Sequence, residues 1–223
     1  MKYLILAAVC LALAAWFICE EHKEKYVSAV LLKGAASVCF VLLGILGGRL
    51  CGDAEFARLV IIGLILGCVA DVLLNLRFVF EKNGKLVFLV GILVFLSGHV
   101  LYLAALIPAC PSLWIWLLAG VVLTALILKW IFSKITAQKA FKIFGIFYIG
   151  AIVIMNCVAL GALLAKPCAG LGVFFAGAVL FLVSDVVLIL NTFGSETKFS
   201  LRITNLSLYY VGQLLIALSL QLF

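Results

Sequence analysis

Residues 63–76 read GLILGCVADVLLNL, an apolar run of helical length with one acid inside it, Asp71. Residues 177–191, GAVLFLVSDVVLILN, repeat the arrangement around Asp185, 114 positions later. If such runs cross a membrane, each buried carboxyl costs roughly 3 kcal/mol on insertion scales, so an acid kept there marks a functional position by default. The two runs therefore pose two questions at once, what solvent surrounds the chain and what the acids do.

Composition answers the first. Of 223 residues, 68% are hydrophobic and 11% charged, and the mean hydropathy is +1.39. A soluble domain carries about 25% charge. The chain reads as an all-α polytopic membrane bundle, with eight stretches long enough to cross about 30 Å of hydrocarbon. They fall near 2–19, 27–47, 57–76, 86–107, 113–132, 141–164, 169–190 and 203–222. The connections, such as EEHKEKY (20–26), RLCGDAE (49–55) and FGSETKFS (193–200), are too short to fold separately, so 1–223 is expected to be one integral membrane domain.

The first stretch begins with Lys2 and contains Ala-Leu-Ala, as a leader would, but its apolar run continues through Trp16 and Phe17 and is read as a span. Eight cysteines are scattered singly and read as small apolar residues. Neither metal nor cofactor is expected, and nothing in the pattern points to nucleic acid or fixes an oligomeric state. The connections after spans 1, 3, 5 and 7 hold eleven Lys and Arg and the opposite side four, which predicts a cytoplasmic rim on the former and both termini away from it, in an inner membrane if the source is bacterial. Most of the +7 net charge belongs to that rim.

At the offset of 114, residues 63–76 and 177–190 agree at seven of fourteen positions, including Gly63 with Gly177 and Asp71 with Asp185. This suggests a 4+4 parallel repeat, 1–110 and 111–223, with the two acids at matching depth. Each acid sits five residues before the basic end of its span, roughly 8 Å in at 1.5 Å per residue. Lys33 and Tyr148 enter from that side at similar depth. Gly63, Gly67, Asp71 and Asn75 form one stripe, and Asn205, Tyr209 and Gln213 another, each recurring every four residues. Ser184 precedes Asp185, and His99 and Tyr102 lie nearer the middle of span 4. Spans 1 and 5 carry almost nothing polar, so they should lie outside six helices that enclose a polar cavity.

The run GLILGCVADVLL resembles the first signature of the YhhN-like membrane proteins, close to G-L-x-x-S-x-x-G-D-x-x-L, and LSGHVLYLAAL is similar to the histidine-and-tyrosine helix that follows it. LFLVSDVVLIL resembles the second, Ser-Asp signature, and LYYVGQLLIALSL the closing Tyr-and-Gln helix. Departures are Gly67 and Ala70 in place of Ser and Gly, and Gly34 in place of a Pro after Lys33. The family includes lysoplasmalogenases, which cleave the vinyl ether of lysoplasmalogens to a fatty aldehyde and glycerophosphoethanolamine or glycerophosphocholine. The resemblance implies that activity here, carried by Lys33, Asp71, His99, Tyr102, Ser184, Asp185, Tyr209 and Gln213.

Vinyl ether hydrolysis is limited by protonation of the distal alkene carbon, which gives an oxocarbenium ion that water captures. It needs a positioned acid and a nearby negative charge, as glycosidases show with two carboxyls in unlike surroundings. The expectation is a catalytic pair, Asp71 and Asp185, with Asp185 favoured as acid and Asp71 as the ionised partner. Lys33, Asn75, His99, Tyr102, Tyr148, Ser184, Tyr209 and Gln213 would bind or orient substrate and water, and Lys33 would meet either Asp71 or the lipid phosphate. The partners expected are a lysophospholipid and membrane lipids. Two other classes stay open: a proton- or cation-coupled transporter, which paired intramembrane acids also suit, and a non-catalytic lipid-binding protein.

Overall fold

The computed structural model describes residues 2–223, apart from the side chain of Glu81, so residue 1 of the domain expected over 1–223 lies outside the described residues. Eight helices follow one another: α1 (Lys2–His22), α2 (Tyr26–Gly48), α3 (Ala54–Leu76), α4 (Gly84–Leu106), α5 (Leu113–Phe132), α6 (Lys139–Ala165), α7 (Ala169–Phe193) and α8 (Phe199–Ser219). All eight are long and apolar enough to cross a membrane, and the described residues contain no strand. The chain is a multi-pass integral membrane protein.

The helices overrun the expected spans mainly at polar ends, where capping groups extend them. Asp53 accepts a hydrogen bond from the Phe56 amide at 3.0 Å and so starts α3 at Ala54. Asn191 holds the turn into α8, its side chain accepting from the Lys198 amide at 2.7 Å and its carbonyl from the Thr197 hydroxyl at 3.1 Å. Glu24, with φ 58°, reverses the chain between α1 and α2 in the left-handed region.

Packing closes six helices into a ring in the order α2, α3, α4, α6, α7, α8 and back to α2. Helix α1 packs on the outside of α2, and α5 on the outside of α6. Only 17% of each outer span is buried in protein, against 61% of α8. Their exposed side chains, such as Trp16, Trp114 and Leu126, are apolar and suited to lipid. The neighbours α2·α3, α3·α4 and α4·α6 recur four helices later as α6·α7, α7·α8 and α8·α2.

Glycine lets two of these pairs approach closely. A Cβ on Gly98 of α4 would lie 3.2 Å from the Gly63 carbonyl of α3, and one on Gly177 of α7 would lie 2.7 Å from the Gly212 carbonyl of α8. Small residues at such crossings are how membrane helices gain packing without a hydrophobic driving force between them. The consequence is positional: α3 and α7 are drawn against the helices that carry Tyr102 and Tyr209, and their acids face the inside of the ring.

Candidate active site

At the end of the ring that carries the basic connections, α2, α3, α4, α6, α7 and α8 surround a polar cavity of about 40 Å³. That is room for about three or four waters at roughly 10–15 Å³ each. Both aspartates line it, together with Lys33, Asn75, Tyr148 and Tyr209. Asp71 and Asp185 are 1% and 3% exposed.

The two carboxyls have unequal company. Asp71 uses both oxygens: Oδ1 lies 3.1 Å from Lys33 Nζ, and Oδ2 accepts from the Ser37 hydroxyl at 2.6 Å and the Tyr209 hydroxyl at 2.5 Å. A cation and two hydroxyl donors thus converge on this one carboxyl. Asp185 has one partner, the Tyr148 hydroxyl, which donates to Oδ2 at 2.5 Å. Its Oδ1 takes no hydrogen bond from the described residues and is not sealed away. One acid is locked in a network and the other keeps an oxygen for something that enters.

The network runs on from Lys33 to the basic end. Lys33 donates to Asn75 Oδ1 at 3.3 Å, Asn75 donates to Glu21 Oε2 at 3.1 Å, and Arg202 grips Glu21 through Nε at 2.7 Å and Nη2 at 2.9 Å. Arg202 also donates to Asn205 Oδ1 at 3.3 Å. Toward the middle of the bundle, Gln213 donates to the Tyr209 oxygen and accepts from the Tyr102 hydroxyl, both at 3.4 Å.

Of the ten residues expected at the site, six line the cavity: Lys33, Asp71, Asn75, Tyr148, Asp185 and Tyr209. Tyr102 and Gln213 stand behind Tyr209. His99, 1% exposed, has no hydrogen-bond partner among the described residues at either ring nitrogen and lies among the rings of Phe181 at 4.6 Å, Tyr148 at 5.8 Å and Tyr102 at 5.9 Å. Ser184 turns away from the cavity: its hydroxyl donates to the Asn205 carbonyl at 3.0 Å and accepts from Asn205 Nδ2 at 2.8 Å, stitching α7 to α8. Lys33 is committed to Asp71 and Asn75 and does not reach outward to a head group.

Sequence reading missed Ser37, Glu21, Arg77 and Arg202. Ser37 follows Lys33 by four positions, on the same face of α2, and that spacing was its signal. The other three sit at helix ends and counted only as rim charges or loop.

Two further cavities adjoin the polar one. An apolar slot of about 70 Å³ between α4, α5, α6 and α7 shares Leu74, Phe88, Phe95, Tyr148 and Leu188 with it. A vestibule of about 440 Å³ at the basic end shares Arg77, Leu188 and Arg202. Among known proteins, a model of the YhhN family matches residues 2–220 of the chain. No solved structure matches it.

Proposed function

The chain belongs to the YhhN family, the family of lysoplasmalogenases, and from that premise we propose that it hydrolyses the vinyl ether bond of a lysoplasmalogen at Asp71 and Asp185. The observation that carries this reading is the inequality of two buried carboxyls on one cavity, Asp71 saturated by Lys33, Ser37 and Tyr209, Asp185 held by Tyr148 alone.

In this scheme Asp185 is protonated through Oδ1 and delivers that proton to the distal carbon of the enol ether. The C=C electrons form the new C–H bond, and the ether oxygen shares the resulting positive charge as an oxocarbenium ion. Asp71, fixed as an anion, supplies part of the negative field that the cation requires, and the new Asp185 carboxylate supplies the rest. A cavity water adds to the cationic carbon and gives its proton to Asp185, which restores the acid. The hemiacetal then collapses to a fatty aldehyde and the glycerophospho-alcohol, with its hydroxyl proton passing to the leaving oxygen. Atoms balance with one water consumed.

The three cavities support the substrate class: an apolar slot for the alkenyl chain, a small wet chamber for the reacting bond and a charged vestibule for the head group. With eleven Lys and Arg on the connections at that end, the proposal places it at the cytoplasmic face. The recurrence of helix neighbours four helices apart supports the duplicated 4+4 architecture.

The test is incubation of the purified protein with lysoplasmalogen in H₂¹⁸O and, separately, in D₂O, with mass spectrometry of the aldehyde after immediate reduction. The scheme expects ¹⁸O in the aldehyde-derived oxygen and one deuterium on its neighbouring carbon. Label in the glycerol product instead would mean attack at a different bond. Uptake of a solute or ion into proteoliposomes with no aldehyde would favour a transporter, and lysolipid binding without turnover a non-catalytic binder.

A further inference from the structure

Arg77 and Arg202 stand where the polar cavity meets the vestibule, and both line both spaces. Arg77 directly follows α3, two residues along the chain from the end of the polar stripe at Asn75, and its guanidinium lies over the rings of Phe78 at 4.5 Å and Phe88 at 4.4 Å. Its Nε is buried, and among the described side chains, which do not include that of Glu81, it has no hydrogen-bond partner and the guanidinium no acidic one. Arg202 does have a partner, but that partner is an internal carboxylate: Glu21 lies in the vestibule wall and offers two oxygens in the bidentate geometry that a phosphate also offers.

We propose that Arg77 and Arg202 form the phosphate-binding site for the lysolipid head group, and that Glu21 occupies Arg202 as an internal competitor until the phosphate arrives. The inference rests on the lysolipid substrate proposed above. It gives the phosphate to these arginines and leaves Lys33 inside the bundle on Asp71, where the 3.1 Å ion pair already holds it.

The physical case has three parts. Guanidinium groups present planar forks that match phosphate oxygens and stack on aromatic faces, and Arg77 is already stacked. Burial, and then the like charge of Arg202, lower the Arg77 guanidinium from its ordinary value to about 10, with Glu21 opposing. It therefore stays charged near neutrality, and a second anion would relieve the repulsion between the two arginines. Finally, the connectivity is right: the glycerol between a phosphate at the arginines and a vinyl ether at the aspartates is short, and both groups of residues line one cavity.

The experiment uses the purified full-length protein in detergent with two unreactive radiolabelled probes, a 1-O-alkyl lysophospholipid and the corresponding 1-O-alkylglycerol, which lacks the phosphate. Arg77→Gln is expected to weaken lysophospholipid binding by about tenfold or more and to leave alkylglycerol binding unchanged. Because Arg202→Gln would strand Glu21, the second variant is the double replacement E21Q/R202Q, with the same expected pattern. Glu21→Gln alone should tighten lysophospholipid binding severalfold and not affect alkylglycerol. Equal loss of both probes would reduce the arginines to structural roles, and unchanged binding of both would remove them from the site; either overturns the proposal, as does weaker lysophospholipid binding in E21Q. Phosphate-dependent binding in a protein that releases no aldehyde from the vinyl ether would support this site while overturning the proposed reaction.

Discussion

Lys33 Nζ and Asp71 Oδ1 meet 3.1 Å apart between α2 and α3, with both side chains almost wholly withdrawn from the surface. A pair in this position is not a source of great stability in itself, but removing one member leaves the other as an uncompensated charge in a low-dielectric interior, at about 3–5 kcal/mol. Lys33→Met should therefore lower both stability and kcat. K33M/D71N, which removes both charges, should recover most of the stability and none of the activity. Unfolding by SDS titration and aldehyde assays check the two halves. A higher KM with kcat and stability untouched would return Lys33 to the head group.

Asp185 is the acid in the proposed scheme, and a positioned general acid contributes about 10²–10⁴-fold to rate. Asp185→Asn should lose that much in kcat with little change in lysolipid binding. Tyr148→Phe removes its one hydrogen-bond donor and should slow turnover by roughly tenfold. Wild-type aldehyde release from D185N would end the scheme.

Gly145 of α6 lines the apolar slot, and a Cβ built there meets nothing within 4 Å. A leucine here has room for its Cβ and would project into the slot proposed for the alkenyl chain. In Gly145→Leu, kcat/KM should fall for long-chain lysoplasmalogens and fall less for short-chain ones, an effect read from a chain-length series. A uniform change across the series would mean that the chain does not lie in this slot.

The α7–α8 crossing depends on Gly177 and Gly212, whose Cβ positions would lie 2.7 and 2.8 Å from each other's carbonyls. Backbone cannot yield as a flexible side chain does. Gly177→Ala and Gly212→Ala should each destabilise the bundle by about 1–3 kcal/mol, measured by SDS titration, and shift Tyr209 away from Asp71.

The bundle was legible because length and hydropathy report membrane crossing almost residue by residue, and the bare polarity of helices 1 and 5 already implied their outer place. The acids were legible through their energetic expense. Ser184 was not, since adjacency in sequence suggested a shared cavity, whereas successive helical residues diverge by about 100° and Ser184 consequently faces α8. The Arg202 contact with Glu21 joins positions 181 residues apart at opposite ends of the chain, and no local pattern carries such a pairing. Ser37 could have been found by following Lys33 one helical turn further.

The slot and the vestibule leave the central chamber in different directions, one walled by the apolar side chains of α4 to α7, the other by arginines and polar groups of the basic end. Under the proposed reaction, cutting the substrate at the chamber separates it at the boundary between those two environments. The aldehyde is left in oil and the phosphodiester in water, each beside its own way out. Neither fragment has to cross the path of the other, so under the proposed reaction cleavage and the separation of the two products happen at the same place.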